Sequence, residues 1–208
     1  ALGAGRVEDV FGFGDRVAGY TRVELEAATR RPLTGGLAVD VRAYAGAFVD
    51  LLDADAGRPR QRRLALAGAD PYATFWNPFL RSRGALFRRG DVRVHAPGGP
   101  NLRSLDPDST ALGAASLQAR LAARVPGPRG VRASAFATGG LVRRPGPEVP
   151  ALGIFEAGLG FHFEAQVVDE RVHVGVDLPV YLSRPGLGEV GRDRRWAWRW
   201  VLRLSPEW

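Results

Sequence analysis

The chain has 208 residues and no cysteine, which excludes a disulfide framework, a thiolate metal site and a cysteine nucleophile. Methionine is also absent and the chain opens on Ala1. The expectation is that a signal peptide has been removed, or that this is the C-terminal part of a longer protein. No stretch approaches the roughly 18 to 20 consecutive apolar residues of a transmembrane helix. Histidine is scarce: His95, His162 and His173 are the only three. None is paired at i,i+4 or set in a His-Glu-x-x-His pattern, so no metal and no cofactor is expected. There is no Gly-x-Ser-x-Gly elbow. The glycines of Gly12-Phe-Gly14 and Gly98–Gly99 lack the strand-then-helix setting of a phosphate loop.

The net charge is +7, carried by arginine. The arginines are spread along the chain and no recognition motif accompanies them, so nucleic acid is not an expected partner. A GC-rich coding sequence accounts for them more simply.

What the chain does have is alternation. In Tyr20–Arg30, Val23, Leu25 and Ala27 share one side, with Arg22, Glu24 and Glu26 on the other. Leu37–Phe48 sets Val39, Val41, Ala43 and Ala45 against Asp40, Arg42 and Tyr44. Ser116–Val125 opposes Leu117, Ala119 and Leu121 to Gln118 and Arg120, and Val131–Gly140 opposes Ala133, Ala135 and Ala137 to Arg132, Ser134, Phe136 and Thr138. The last third is the most regular. Ile154–Val167 sets Phe155, Leu159, Phe161 and Phe163 against Glu156, His162 and Glu164. Arg171–Ser183 sets Val172, Val174, Val176, Leu178, Val180 and Leu182 against His173, Asp177 and Tyr181. Arg195–Ser205 sets Trp196, Trp198, Trp200, Leu202 and Leu204 against Arg195, Arg199 and Arg203.

A period of two means strands with one dry and one wet face. These segments run about 10 to 14 residues, whereas a soluble strand averages roughly 5 to 6 and a strand crossing a bilayer needs about 9 to 11. The apolar sides carry no charge, as a lipid-facing surface requires. Short connections (31–36, 126–130, 168–170) alternate with longer ones (143–150, 185–193), the pattern of an antiparallel outer-membrane barrel. The stretch 50–63 reads as another polar loop.

The chain ends in Trp208, with Leu204, Leu202 and Trp200 at alternate positions before it and Pro206 interrupting the pattern. This resembles the C-terminal strand by which outer-membrane barrels are read by their assembly machinery. The order of Asn77–Gly84, Pro97–Arg103, Ser116–Arg120, Phe136–Gly140 and Gly158–Phe163 resembles the C-terminal half of the bacterial surface-antigen family, the barrels of assembly and two-partner-secretion transporters. In that family an arginine-bearing loop folds into the lumen, where an acidic residue of a Phe-x-Asp-x-Gly strand meets it. The resemblance makes Arg103 the inserted arginine, and Phe136 and Gly140 its partner strand. Ser104 and Leu105 stand where the family has Gly and an aromatic, and Thr138 stands where it has Asp; Glu156 and Glu164 are the acids able to replace it. The chain is also similar to barrels that follow a zinc-aminopeptidase-like domain in large bacterial proteins.

The expected fold is all-β, an antiparallel up-and-down transmembrane β-barrel. Residues 1–208 form one barrel domain, or the C-terminal portion of one, with about eight strands visible. The expected lumen residues are Arg22, Glu24, Glu26, Asp40, Arg42, Arg103, Arg120, Glu156, His162, Glu164 and Asp177. Those expected against lipid are Leu117, Leu121, Phe161, Phe163, Val174, Val176, Trp198 and Trp200. The paired carboxylates Glu24/Glu26 and Glu156/Glu164 could suit glycoside chemistry, but ion pairs with Arg22, Arg42 and Arg120 explain them more simply. No catalytic residue is expected. The function expected is an anchor, pore or translocation path in the bacterial outer membrane. Its partners would be the lipid bilayer, lipopolysaccharide, the barrel-assembly machinery and an N-terminal soluble domain. Two alternatives remain: a soluble barrel binding a hydrophobic ligand, and the barrel part of a surface peptidase.

Overall fold

A computed structural model describes residues 6–11, 19–50, 63–68, 92–95, 98–106, 109–126, 130–144, 150–167, 170–187 and 194–206. Trp208, most of the 50–63 stretch, Gly12-Phe-Gly14 and the segment 77–84 lie outside them, as do the side chains of Glu164, Trp200 and Leu204.

The fold is all-β. The strands are β1 (Arg6–Phe11), β2 (Gly19–Pro32), β3 (Leu37–Asp50), β4 (Leu64–Ala65), β5 (Val92–His95), β6 (Thr110–Ala111), β7 (Gly113–Arg124), β8 (Val131–Arg143), β9 (Leu152–Val167), β10 (Glu170–Leu182) and β11 (Trp200–Pro206). Among the described residues the only helical pieces are 3-10 turns at Thr34–Gly36 and Pro185–Leu187. Nine strands form one sheet in the order β1-β2-β3-β7-β8-β9-β10-β11-β5, and β4 pairs with β6 apart from it. Every neighbouring pair in the large sheet is antiparallel except β11 with β5, which is parallel.

Antiparallel order sorts the connections. The chain passes from β2 to β3, from β7 to β8 and from β9 to β10 at one end of the sheet, and from β1 to β2, β3 to β7, β8 to β9 and β10 to β11 at the other, where more residues separate the strands.

The alternation read from sequence sets the two faces. On β7 burial alternates strictly from Ala114 to Ala122, with the polar Ser116, Gln118 and Arg120 buried and Leu117 and Leu121 exposed. On β8, Ser134, Phe136 and Thr138 are buried; on β9, Ile154 and Glu156 are buried while Phe155, Leu159, Phe161 and Phe163 stand open. The inner face is therefore the charged one.

One segment departs from the expected pattern. Along β10 the register shifts between Pro179 and Tyr181, where Pro179 pairs with Gly158 and Tyr181 with Ala157. This bulge consumes Val180 and reverses the alternation beyond it. Tyr181 therefore turns outward against Phe155 and Trp196. Leu182, expected outward, is fully buried on the inner face. The strand expected over 195–205 also begins later, at Trp200. Before it, Trp196 makes only an isolated bridge to Tyr181.

The apolar core sits between the inner face and the segment joining β3 to β7. Leu64, Leu66, Ala67, Leu102, Leu105 and Ala111 of that segment pack against Tyr44, Ala114, Val142, Ile154 and Leu182 of the sheet. Backbone bonds from Leu66 N to Ser109 O and from Leu102 N to Leu66 O, both 3.0 Å, tie the segment to itself. The inner face is thus apolar toward the long-connection end and charged further in.

Candidate functional site

The site is built where residues 99–105 reach the charged part of the inner face. Gly99 starts the descent with φ +52°, and a Cβ there would lie 2.8 Å from the Ala65 carbonyl oxygen. Glycine is the residue that tolerates both the left-handed backbone and the close approach. Asn101 is also left-handed at φ 57°, a conformation asparagine accepts more readily than most residues. Its Nδ2 donates to Gln118 Oε1 at 2.7 Å. Leu105 N then donates to Leu102 O at 3.1 Å, closing a turn with Arg103 and Ser104 at its tip.

Glu156 of β9, fully buried, receives that tip. Its Oε1 accepts the Arg103 backbone N–H at 3.1 Å and its Oε2 accepts that of Ser104 at 2.8 Å. The Arg103 side chain is itself fully buried and crosses to β10, where Nη1 donates to Asp177 Oδ2 at 2.8 Å. Asp177 is shared. Arg120 Nη2 donates to it at 3.0 and 3.2 Å, and His162 Nε2 lies 3.2 Å from its Oδ1. Arg120 Nη1 also contacts His162 Nε2. The Phe136 ring lies under both arginines, its centroid 4.3 Å from the Arg103 guanidinium carbon and 5.6 Å from that of Arg120, within cation–π range. Burial pushes the Arg103 guanidinium down to about 10, while Asp177 and Glu156 pull it back up. It stays charged at neutral pH.

Gly160 makes room for this cluster. It pairs with Asp177 on one side and Ser134 on the other. A Cβ on it would lie 2.5 Å from Asp177 Oδ1 and 2.7 Å from His162 Nε2.

A second group lines the same face on β2 and β3. Arg42 Nε bonds Glu26 Oε1 at 2.6 Å, Arg22 Nη2 bonds Glu24 Oε1 at 2.8 Å, and Tyr44 Oη donates to Glu24 Oε1 at 2.5 Å. Arg30 and Asp40 pair at 3.4 Å where both are half exposed.

The residues singled out from sequence fall as follows. Arg22, Arg42, Arg103, Arg120, Glu156 and Asp177 are buried on the inner face; Glu24, Glu26, Asp40 and His162 are half-buried there. Leu117, Leu121, Phe161 and Phe163 are exposed on the outer face, at 45% to 59% of their maximum, and Trp198, ahead of β11, is 66% exposed. Val174, Val176 and Leu202 are half-buried. The structure brings Arg103 onto Phe136. The acid that meets its guanidinium is Asp177, however, and not one of the two substitutes expected. Glu156 binds the loop backbone instead. Sequence reasoning had placed Asp177 on the wet face of its strand, but nothing in a strand's own alternation reports which loop lies above it. Among the described residues no three His, Cys, Asp or Glu side chains gather as metal ligands would.

Comparison with protein-family models, with curated proteins and with solved structures finds no match.

Proposed function

We propose that the chain forms the wall of an outer-membrane β-barrel of the surface-antigen type, a membrane anchor or translocation path whose inward loop is latched by Arg103. The observation that carries this reading is the inversion of the two faces. Buried arginines, Glu156 and Asp177 line the inside, while Leu25, Leu117, Leu141, Phe155, Leu159 and Phe161 stand 45% to 59% exposed outside. A soluble monomer rarely leaves so wide an apolar surface in water, whereas lipid accepts it.

The charges on the outer face support the same reading. At the outward positions of β2, β3, β7, β8 and β9 that the structure describes, Arg31 and Arg143 are the charged residues, and both are exposed. Val23 lies in the cross-strand row of Arg143, through Ala47 and Gly113. From Arg31 to Val23 is eight residues along β2, about 26 Å at roughly 3.3 Å per residue. On a strand tilted by roughly 40° that length rises about 20 Å, most of the roughly 25 Å apolar band of a barrel. The short connections then belong to the periplasmic end and the long ones to the outside. Exposed Trp196 and Trp198 on the long-connection side suit an interfacial girdle.

A soluble barrel with a hydrophobic ligand would need an open apolar face inside, and here the apolar part of the inner face is filled by Leu64, Leu66, Leu102 and Leu105 while the rest is charged. Among the described residues, His162 has its Nε2 engaged by both Asp177 and Arg120. If the working protein has a soluble peptidase-like domain, its chemistry lies outside these residues.

The test is folding with and without detergent, read by the shift in gel mobility on heating. The proposal expects folded, heat-modifiable protein in micelles only. A monomer that folds in plain buffer refutes it.

A further inference from the structure

We propose that His162 is a proton-operated release for the latched loop: the neutral ring supports docking of Arg103, and its protonation drives the loop off the inner face. This inference rests on the inward loop of the proposed function and needs no lipid outside the wall.

The fold makes room for this ring. His162 pairs with Gly175 on β10 and with Arg132 on β8. A Cβ on Gly175 would collide with His162 Nδ1 and lie 2.9 Å from its Cε1, and a Cβ on Gly160 would lie 2.7 Å from its Nε2. Neither glycine has a left-handed backbone, so space and not conformation calls for glycine at both. The space brings Nε2 to Asp177 Oδ1 and to Arg120 Nη1.

The protonation state of the ring follows from its neighbours. Arginine nitrogens donate and never accept. Nε2 therefore accepts from Arg120 Nη1, and the docked ring is neutral with its proton on Nδ1. A second proton turns Nε2 into a donor and the ring into a cation. The contact with Arg120 then sets charge against charge. Nε2 also competes with Arg120 Nη2 for Asp177 Oδ1, which lies 3.2 Å from each.

Three cations, Arg103, Arg120 and His162, would then share one carboxylate that has no solvent exposure. The surroundings are mostly basic. Arg132 is the cross-strand partner of His162, and Arg203 holds the position beside Gly175 on β11. Glu164 and His173 pair with each other in the next inward row. Glu156 is already committed, since both its oxygens hold loop backbone N–H groups. Arg120 and His162 belong to β7 and β9, whereas Arg103 sits on a loop. Withdrawal of Arg103 is the movement that relieves the crowding without breaking the sheet. The docked loop thus binds one proton fewer than the released one, so docking is favoured at higher pH and lost as pH falls through the histidine range. The His162 side chain is 20% exposed, so protons reach it.

The test is trypsin cleavage after Arg103, a bond shielded while Arg103 and Ser104 are buried. The full chain, refolded in zwitterionic micelles, is digested at about pH 7.5 and about pH 5.5, either side of the ordinary histidine value. Each rate is divided by that of a free peptide of residues 99–105 at the same pH, and heat-modified mobility checks that the sheet stays folded. Cleavage should be about tenfold faster at the lower pH, as one proton coupled to docking allows. His162→Gln keeps an acceptor for Arg120 and cannot take the proton, so it should be cleaved slowly at both. His95→Asn, on β5, should respond as wild type. A wild-type rate that does not rise, or an equal rise in His162→Gln, overturns the proposal. If His162→Gln does not dock at the higher pH, Arg120→Gln decides. Without the cation that a protonated ring repels, the rise should shrink, and an undiminished rise overturns the proposal. A chain that folds in plain buffer refutes the membrane reading, and the same digestion in buffer then tests the release on its own.

Discussion

Replacing Asp177 with asparagine removes one negative charge and strands two positive ones. Asp177 bonds Arg103 at 2.8 Å and Arg120 at 3.0 Å, in a position with no solvent exposure. Breaking a buried ion pair by neutralising one partner costs about 3 to 5 kcal/mol, because the other charge is left without compensation. Arg103→Met acts on the same bond from its other end, with a different consequence. The carboxylate keeps Arg120 and lies 3.2 Å from His162. The methionine fills the space over Phe136, and the buried Arg103 Nε and Nη2, which have no hydrogen-bond partner, disappear. The loss should be nearer 1 to 2 kcal/mol, roughly one hydrogen bond to a charged group. The double variant should be more stable than Asp177→Asn alone, since one stranded cation has gone. Urea unfolding in micelles, followed by the fluorescence of the five tryptophans, measures all three. If Arg103→Met proves as damaging as Asp177→Asn, or the double variant shows no recovery, the reasoning that Asp177 is the shared centre of the cluster fails.

The other expectations concern separate parts of the molecule. Leu159→Arg puts a charge at the middle of the outer face of β9 and should cost about 2 to 4 kcal/mol in lipid; a change below 0.5 kcal/mol would speak for water on that face. Asn101→Ala should be less stable than Asn101→Gly by about 1 kcal/mol, because only the glycine variant keeps the left-handed φ of 57° without strain. Glu156→Gln leaves one acceptor for the two backbone N–H groups it now holds. It should raise the rate of protease cleavage in residues 99–105, with heat-modified mobility preserved. Deleting Val180, the extra residue of the bulge, would let Tyr181 follow Pro179 in regular register, with Tyr181 still outward on Ala157 and Leu182 still inward on Glu156; the expected result is a folded, heat-modifiable chain, and failure to fold would refute the reading of Val180 as the bulged residue.

The strands were legible because a period of two is a local signal. Seven of them were placed from alternation, and their faces came with them. Exceptions arise where a local signal is blind. The bulge at Val180 leaves the apolar spacing of Val176, Leu178 and Leu182 intact in sequence and changes only the side faced by the residues beyond it, Tyr181 and Leu182. The short β4 and β6 owe their existence to packing over the inner face, which no two-residue window reports. Arg103 stands out in the sequence only through the resemblance of its loop to the surface-antigen family, and no local pattern marks it. Its partner is not marked either, because the choice between Glu156, Glu164 and Asp177 depends on how far the loop descends. That depth is set by Gly99, Asn101 and the fit of Leu102 and Leu105 among the core side chains.

The latch also constrains the order of assembly. Pairing between sheet neighbours that are consecutive in sequence closes short loops and can proceed as each strand emerges. The bond from Arg103 to Asp177 spans 74 residues and cannot form until β7, β8, β9 and β10 stand side by side. Until then only Glu156 of β9 can hold the loop, by its backbone N–H groups, and the Arg103 guanidinium lacks its acid. Contacts of such high separation form late, after the entropy of closing the intervening chain has been lost. A chain interrupted before β10 would therefore carry its loop with the Arg103 side chain unlatched, and the latch would report that β10 had arrived.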